Sequence, residues 1–237
     1  MTETMPPQIN SLLPRAALSS AQRDEMHALL TQHFEGVTRA QFERDLAEKN
    51  WVVEIRREGR LLGFSTLLVC EAQLDGRALT AIYSGDTIVA PEAWGSPALA
   101  RAWIAAVNHL RAAAPARPCH WLLLTSGFRT YRFLPVFWRE FFPRHDAPVP
   151  PHARRLLDHL ARARYGDGYD AAAGIVRFPH PQRLRGPLGA LPAGRAKDER
   201  VAFFLARNPG HAAGDELACL TEISAENLTA AGRRMLS

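Results

Sequence analysis

One stretch, Arg77–Phe142, decides the fold; it begins RALTAIYSGDTIVAPEAWGSPALARAWIAAVNHL (residues 77–110) and ends PCHWLLLTSGFRTYRFLPVFWREFF (residues 118–142). Its pattern predicts a strand at Ala78–Val89, a helix at about Pro97–Ala113 and a second strand at Cys119–Thr125. Two strands joined by a crossover helix are expected to be parallel. Small polar residues interrupt both strands, as Ser84-Gly85-Asp86 in the first and Thr125-Ser126-Gly127 at the end of the second. We therefore expect these residues at one side of a sheet, where α/β proteins bind ligands.

The residues before this stretch predict two helices and an antiparallel meander. Ser19 and Thr38 each precede a helical pattern and have a glutamine three residues later, which is typical of a helix start. Strand patterns follow at Trp51–Arg56 and Leu61–Glu71, and Asp75-Gly76 is a hairpin signal before the strand Ala78–Val89. Residues 1–17 are expected to form a loose tail that ends in a short strand around 11–16.

The residues after this stretch change in composition. Residues 144–200 are rich in Arg, Pro, Gly and Ala, and they contain one clear helical pattern at Ala153–Tyr165; residues 178–197 are expected to form an irregular loop. Strand patterns return at Val201–Asn208 and Glu216–Ile223, followed by a final helix between about Ser224 and Met235. The prediction is a single α/β domain, 1–237, with an Arg/Pro-rich insertion at 144–200. Its sheet should be mixed and mostly antiparallel, with a central parallel pair flanked by helices.

Composition places the chain among soluble globular proteins. Of its 237 residues 47% are hydrophobic and 22% are charged, and no apolar run reaches the length of about 20 that a membrane helix needs. The acidic, proline-containing start MTETMPP does not resemble a secretory signal, so a cytoplasmic protein without membrane partners is expected. Three separated cysteines and nine histidines show no ligand spacing, which predicts no metal site. The net charge of +5 suits an anionic ligand, but aromatic residues are sparse among the arginines, so nucleic-acid binding is not predicted.

The order of elements, together with three local strings, resembles the GNAT superfamily of acyl-CoA-dependent N-acyltransferases. FERDLAEKNWVVEIRREGRLLGFSTLLV (residues 42–69) resembles that family's second helix and first hairpin. DTIVAPEAWGSPAL (residues 86–99) is similar to its fourth strand and pyrophosphate loop, and VFWREFFPR (residues 136–144) to its helix that ends in aromatic-x-x-x-Gly-Phe. The resemblance covers about 11–142 and 201–223. It implies a small-molecule substrate and acyl-CoA as co-substrate, bound by Ile88, Val89, Gly95 and Ser96.

Two departures from the family pattern affect this expectation. The family's basic, glycine-rich loop is Glu92-Ala93-Trp94-Gly95-Ser96 here, with one glycine and no arginine. The tyrosine that often protonates the leaving thiolate in the family falls at Trp138 or Phe137, and neither side chain is an acid.

Asp86 is the predicted general base. A glycine inside a strand often marks a bulge, and the family's fourth strand opens at such a point to admit the substrate. A carboxylate there can take a proton from an amine if burial raises its pKa toward 7. The alternatives are that Asp86 only supports the backbone, or that Glu71, at the end of the preceding strand, is the base.

The segment SGFRTYRFLP (residues 126–135) is predicted to hold the substrate. Ser84, Thr125 and Ser126 are expected to contact it, and Arg129 or Arg132 to hold a phosphate or carboxylate. Tyr131 is the predicted catalytic acid, in place of the missing tyrosine. The alternative for this segment is a helix cap with solvated arginines and a core tyrosine.

Two classes of function remain open at this point. The first is an acyltransferase that moves an acyl group from an acyl-CoA or carrier thioester to an amine. The second is a non-catalytic module of the same fold that binds an anionic small ligand or a partner protein. The acyl length, the acceptor and the oligomeric state do not follow from the sequence.

Overall fold

The computed structural model describes residues 11–186 and 197–236. Their strands are β1 (Leu12–Pro14), β2 (Phe34–Glu35), β3 (Trp51–Arg57), β4 (Arg60–Leu74), β5 (Arg77–Val89), β6 (Cys119–Thr125), β7 (Phe141–Phe142), β8 (Tyr169–Asp170), β9 (Ile175–Val176), β10 (Arg183–Leu184) and β11 (Glu216–Glu222). The helices are α1 (Ser20–His33), α2 (Arg39–Ala47), α3 (Ala98–Ala112), α4 (Phe128–Tyr131), α5 (Phe133–Phe137), α6 (Pro151–Tyr165), α7 (Glu199–Arg207) and α8 (Ala230–Arg234). The predicted tail at 1–10 and the middle of the predicted loop, 187–196, lie outside the described residues.

Most of the strands form one mixed sheet. Their order is β1-β3-β4-β5-β6-β11-β9-β8, with β7 paired to β11, while β2 and β10 form a separate antiparallel pair. β5 and β6 are parallel, and the other pairs along the sheet are antiparallel. The predicted fold class is therefore confirmed: a mostly antiparallel sheet with a parallel pair at its centre, flanked by helices.

The local signals at the start of the chain are also confirmed. Ser19 caps α1 in a capping box with Gln22, and the Thr38 side chain accepts from the Gln41 amide at the start of α2. The β4–β5 turn has positive φ angles at Asp75 and Gly76, as a two-residue hairpin requires.

β5 changes its partners halfway along its length. Ser65 pairs with Thr87 and Leu67 with Ser84, so Thr66 alone lies opposite both Gly85 and Asp86 in a β-bulge. The ladder between β5 and β6 ends at the pair Tyr83–Leu122, and the later residues of the two strands do not pair with each other. We call this opening between 84–89 and 123–125 the fork.

The two faces of the sheet carry different helices. α3, α4, α5 and α7 cover one face, around a core that includes Leu67, Ile82 and Trp121. α1 and α2 cover the other face at Phe64 and Ile88, and α6 covers the same face at Tyr83 and at neighbouring positions of β6 and β11. We call this second side the α6 face. Among the described residues, no helix has the length and apolarity needed to cross a membrane.

The prediction for residues 201–208 was wrong, because this segment is the helix α7. Val201 and Phe204, three residues apart, are buried, and Phe203 and Leu205 pack partly against the same core. Asp198 starts the helix by accepting from the Arg200 amide. A short run of apolar and aromatic residues fits a strand or a buried helix equally well by pattern, and here tertiary packing selects the helix.

The rest of the C-terminal half agrees with the predicted elements in outline. The region after β6 forms two short helices, α4 and α5, as expected from Pro135, which lies inside α5 and cannot donate to the carbonyl of Tyr131. The final helix, α8, is shorter than expected. The insertion supplies α6, β8, β9 and β10, and β8 and β9 extend the main sheet. A single domain 1–237 stays a prediction.

Candidate functional site

Asp86 lies at the fork, on the α6 face. Its carboxyl is partly exposed, yet it is enclosed enough that desolvation raises its pKa to about 6. The negative charge of Asp45 raises the pKa further, while the Lys49 ammonium and a hydrogen bond from Gln182 lower it. Burial is the largest of these effects. At pH 7 this carboxyl is therefore mostly ionised but close to its titration point, as a general base requires.

Lys49 follows α2 and lies above the bulge. Its ammonium donates to the carbonyl of Asp45 at 3.0 Å, and burial lowers its pKa, an effect that Asp86 opposes. A Cβ atom placed on Gly85 would lie 2.5 Å from Lys49 Cε and 2.6 Å from Thr66 Oγ1. Position 85 thus favours glycine because other side chains need that space.

Thr66 presents a buried hydroxyl at the same place. The residue is 1% exposed, and its Oγ1 has no hydrogen-bond partner among the described residues. Such groups are rare in native structures and call for an explanation, such as water or a ligand.

Glu216, which the sequence reasoning missed, is the second carboxylate here. It is the first residue of β11, next to the Leu217–Thr125 pair. Desolvation, followed by the negative charge of Asp86, raises the pKa of Glu216 to about 7. The sequence does contain a sign of this residue. Glu216 has the same alternation as the apolar residues Ala218 and Leu220, so it lies on the apolar side of the strand.

The insertion closes this side of the site. Arg164, from α6, forms an ion pair with Glu48 next to Lys49. Tyr165 interacts with the charge of Glu216, and its pKa is raised above the ordinary value, chiefly by burial. Burial also raises the pKa of Tyr83, on β5, to about 12.

Ser84 closes the inner end of the fork from the opposite face. Its hydroxyl accepts from Trp121 Nε1 at 2.9 Å, in a buried position that joins β5 to β6. Trp121 packs on Trp103 and Trp138 in an aromatic cluster. Ser84 therefore lies at the inner end of the fork with its hydroxyl bonded to Trp121, and its contact with a substrate stays a prediction.

The outer end of the fork is formed by the loop before α3. Ile88 is buried, and the Val89 carbonyl accepts from Trp94 Nε1 at 2.8 Å. Gly95 has open space around it, and Ser96 Oγ accepts from the Ala98 amide at 3.1 Å. These four predicted cofactor-binding residues are thus close together in sequence and lead into the N-terminus of a 15-residue helix.

Arg129 reaches this loop from the other side of the fork. Its guanidinium carbon lies 4.6 Å from the centre of the Trp94 ring. A cation stacked in this way is held in place. The loop has no arginine of its own, but one is brought to it from α4.

The remaining predicted residues differ in their placement. Thr125 Oγ1 donates to the Gly127 carbonyl at 2.8 Å and accepts from its amide, and Ser126 is partly exposed at the end of β6. Arg132 is exposed. Glu71, the alternative base, is exposed as well and is paired with Arg117.

The prediction that Tyr131 is the catalytic acid is wrong. It is 1% exposed, it packs against Phe204, and its hydroxyl donates to the carbonyl of Pro143 at 3.1 Å. Burial raises the pKa of this hydroxyl well above its usual value. A phenol held in this way has no access to a bound thioester, so Tyr131 is a core residue and not the acid that was predicted.

The chain matches no protein-family model and no curated protein sequence. Among solved structures, it is similar to a GCN5-related N-acetyltransferase from Kribbella flavida, with 13% identity, a TM-score of 0.41, and 91% of this chain and 65% of that one covered. It is also similar to an aminoglycoside 6'-N-acetyltransferase complexed with coenzyme A, with 10% identity, a TM-score of 0.40, and 90% and 97% covered. A third is a ribosomal-protein-alanine N-acetyltransferase from Brucella melitensis biovar Abortus 2308, with 19% identity, a TM-score of 0.35, and 70% and 97% covered.

All three are N-acetyltransferases, the class of enzyme that the sequence resembles. Identities of 10 to 19% describe a distant similarity of fold. The function of this chain has to be argued from its own residues.

Proposed function

We propose that the chain is an N-acyltransferase that moves an acyl group from acyl-CoA to a primary amine, with Asp86 as the general base. The observation that carries this proposal is the position of Asp86: an enclosed carboxylate, with its pKa raised to about 6, at the fork between two parallel strands. At this position, a group that can accept a proton near neutral pH lies beside an opening in the sheet that an extended ligand can enter.

The fork offers backbone groups to such a ligand. Beyond Tyr83, the edge of β5 that would face β6 has no ladder. Amide and carbonyl groups on an open strand edge can bind an extended chain that itself contains amide bonds. The pantetheine arm of CoA is such a chain. We assign this edge, including Ile88 and Val89, to the acyl-CoA arm.

The loop before α3 and Arg129 would hold the phosphates. The N-terminus of a helix attracts anions through its free amides and its dipole, and Gly95 leaves the approach open. Arg129, stacked on Trp94, supplies the positive charge that the loop lacks. Both Arg129 and Arg132 are exposed, and we prefer Arg129 for this role because it is stacked on the loop.

Asp86 then acts on the acceptor. Its carboxylate takes a proton from the amine, the freed nitrogen forms a bond to the acyl carbon, and the bond from that carbon to sulfur breaks. CoA leaves as the thiolate, which takes up the second proton that the amine nitrogen loses. Thr125 and Ser126, at the end of β6, are proposed to contact the acceptor. The acyl length, the acceptor's identity and the expected cytoplasmic location stay predictions.

A non-catalytic binding module is the second candidate. In its favour, Glu92 in the loop is paired with Arg60, and Trp138, at the position of the family's acid, is buried with an unpartnered Nε1 among the described residues. Such a module would bind an anionic ligand or a partner protein without turnover.

Acyl-CoA binding is expected to raise the melting temperature. At a ligand concentration of 100 times the dissociation constant, binding adds about 2.7 kcal/mol to the free energy of unfolding. For a chain of this size that is a shift of about 5 to 10 °C. The measurement is differential scanning fluorimetry with acetyl-, octanoyl- and palmitoyl-CoA. No shift with any of them would exclude both CoA binding and the acyltransferase.

Arg129→Ala is the matched variant, with Arg132→Ala, three residues along the same segment, as its control. Loss of the Arg129 guanidinium should weaken acyl-CoA binding about tenfold, equivalent to about 1.4 kcal/mol, and the control should bind as the wild type does. Equal effects of the two variants would remove the assigned role of Arg129. Binding without transfer to any amine would favour the second candidate.

A further inference from the structure

The α6 face of the fork holds more carboxylates than one base requires. We propose that Glu216 and Asp86 together bind the ammonium group of the acceptor, Glu216 from the β6–β11 side of the fork and Asp86 from the β5 side. The inference rests on the proposed function, because it names the acceptor class of that site: an amine that arrives as a cation.

Strand geometry places both carboxylates on one face. Ala218 and Leu220 of β11 pack under α6, and Glu216 shares their side of the strand. Asp86 lies two residues before Ile88, which packs under α1 and α2 on that same side of the sheet. The ends of β5 and β6 do not pair with each other here, while β6 pairs with β11 on its other side.

A buried polar group that has no partner in the part of the chain that the structure describes lies beside Asp86 and supports a ligand at this place. Thr66 Oγ1, buried and without a partner among the described residues, lies at the bulge next to Asp86. That hydroxyl and the end of the Lys49 side chain lie directly against Gly85, within 2.6 Å of where a Cβ would be. A hydroxyl can accept from an ammonium group, so Thr66 supplies a further acceptor for a cation held by two carboxylates.

The charges around the pair favour a cation. Among the described residues, Asp45 and Asp86 act on the Lys49 ammonium, Glu216 interacts with Asp86, and Arg164 is paired with Glu48. Other titratable groups directed at this region come from α6, β4 and β5, and they are Tyr165, Cys70 and Tyr83. Burial, followed by neighbouring negative charge, raises the pKa values of Asp86 and Glu216 to about 6 and about 7. An ammonium group would oppose this negative charge.

The same pair accounts for the protons of the reaction. An acceptor that enters as R–NH3+ loses two protons when it becomes an amide. One of them ends on the thiol of CoA, and the other is taken by the carboxylate pair and released to water. Glu216 therefore has a proton-accepting role beside Asp86, and the shared site selects charged amines over neutral alcohols.

Carboxyl titration by 13C NMR tests the pair directly, in the full chain and without acyl-CoA. In the wild type, Glu216 should titrate well above an ordinary glutamate. In Asp86→Asn, its midpoint should fall by about one unit, because a neighbouring negative charge is removed. Glu222→Gln, a change at the exposed far end of β11, should leave it unmoved. An ordinary midpoint for Glu216 in the wild type overturns the inference without need of any variant.

The acceptor class is tested with n-butylammonium as the probe and n-butanol as its neutral counterpart. The ammonium should lower the titration midpoints of both carboxyls, and the alcohol should not; equal effects of the two would contradict the inference. If the Asp86 and Glu216 carboxyls titrate as a coupled pair but acyl-CoA does not bind, the cation site is supported and the transferase function is excluded. If acyl-CoA binds but the two carboxyls titrate independently at ordinary midpoints, the transferase function stands and the proposed role of Glu216 is excluded.

Discussion

Asp86→Asn is expected to lower the rate of acyl transfer by about 10²- to 10⁴-fold, the usual contribution of a general base. The amide has nearly the size of the carboxylate but cannot take a proton from the acceptor. Acyl-CoA binding should remain, because the proposed phosphate contacts are made by the loop before α3 and by Arg129. The measurement is the release of the free CoA thiol in the presence of each amine that the enzyme accepts.

Asp75→Asn is the control for this change. Asp75 is exposed in the β4–β5 turn, at the opposite end of the strand from the bulge, and asparagine tolerates its positive φ of 50°. This variant should retain full activity. The wild-type rate should rise with pH through about 6 as Asp86 loses its proton, and then level off. If Asp86→Asn turned over at the wild-type rate, Asp86 would not be the base.

The second large effect is on stability: Asp86→Asn should raise the free energy of unfolding at pH 8. The carboxyl of Asp86 has its pKa raised from 3.8 to about 6 in the folded chain, so its ionised form is disfavoured there. At about 1.4 kcal/mol per unit the cost has an upper limit of roughly 3 kcal/mol. Partial exposure and the lost contacts with Lys49 and Gln182 reduce the expected gain to the order of 1 to 2 kcal/mol.

The direction of the pH dependence makes this prediction specific. Above the folded pKa of about 6, Asp86 is ionised in both states and the folded state bears the full cost. As the pH falls toward the unfolded value, the folded state takes up a proton and the cost disappears. Urea unfolding at pH 8 and pH 5 should thus show an advantage of Asp86→Asn that shrinks on acidification. An advantage that grew at pH 5, or a loss of stability at pH 8, would contradict the assigned burial.

Local signals predicted the frame of this site well. Gly85 inside a strand predicted the bulge, Pro135 predicted the break between α4 and α5, and the pattern of Arg77–Phe142 predicted the parallel pair. Each of these features depends on residues that are neighbours in the chain, so the sequence displays them directly.

The rest of the site depends on contacts between distant segments. Lys49, Gln182 and Glu216 meet near Asp86 although they are up to 167 residues apart in the sequence. No spacing rule connects them, because the sheet order and the return of the insertion bring them together. Tyr131 shows the converse: a reactive side chain in a promising string, directed into the core by the packing of α7.

Val201–Asn208 illustrates a third limit. Its composition suits a strand, and only the contact of Val201 and Phe204 with the core selects the helix. A pattern that two structures satisfy equally is decided by the residues it packs against.

Hydrogen–deuterium exchange with and without acyl-CoA tests the central claim, that the fork and the loop before α3 form the acyl-CoA site. Acyl-CoA should protect the amides of residues 86–98 and 126–130, whereas the turn at Asp75-Gly76 should exchange at an unchanged rate. Absence of protection with acetyl-, octanoyl- and palmitoyl-CoA, or protection confined to other segments, would contradict it.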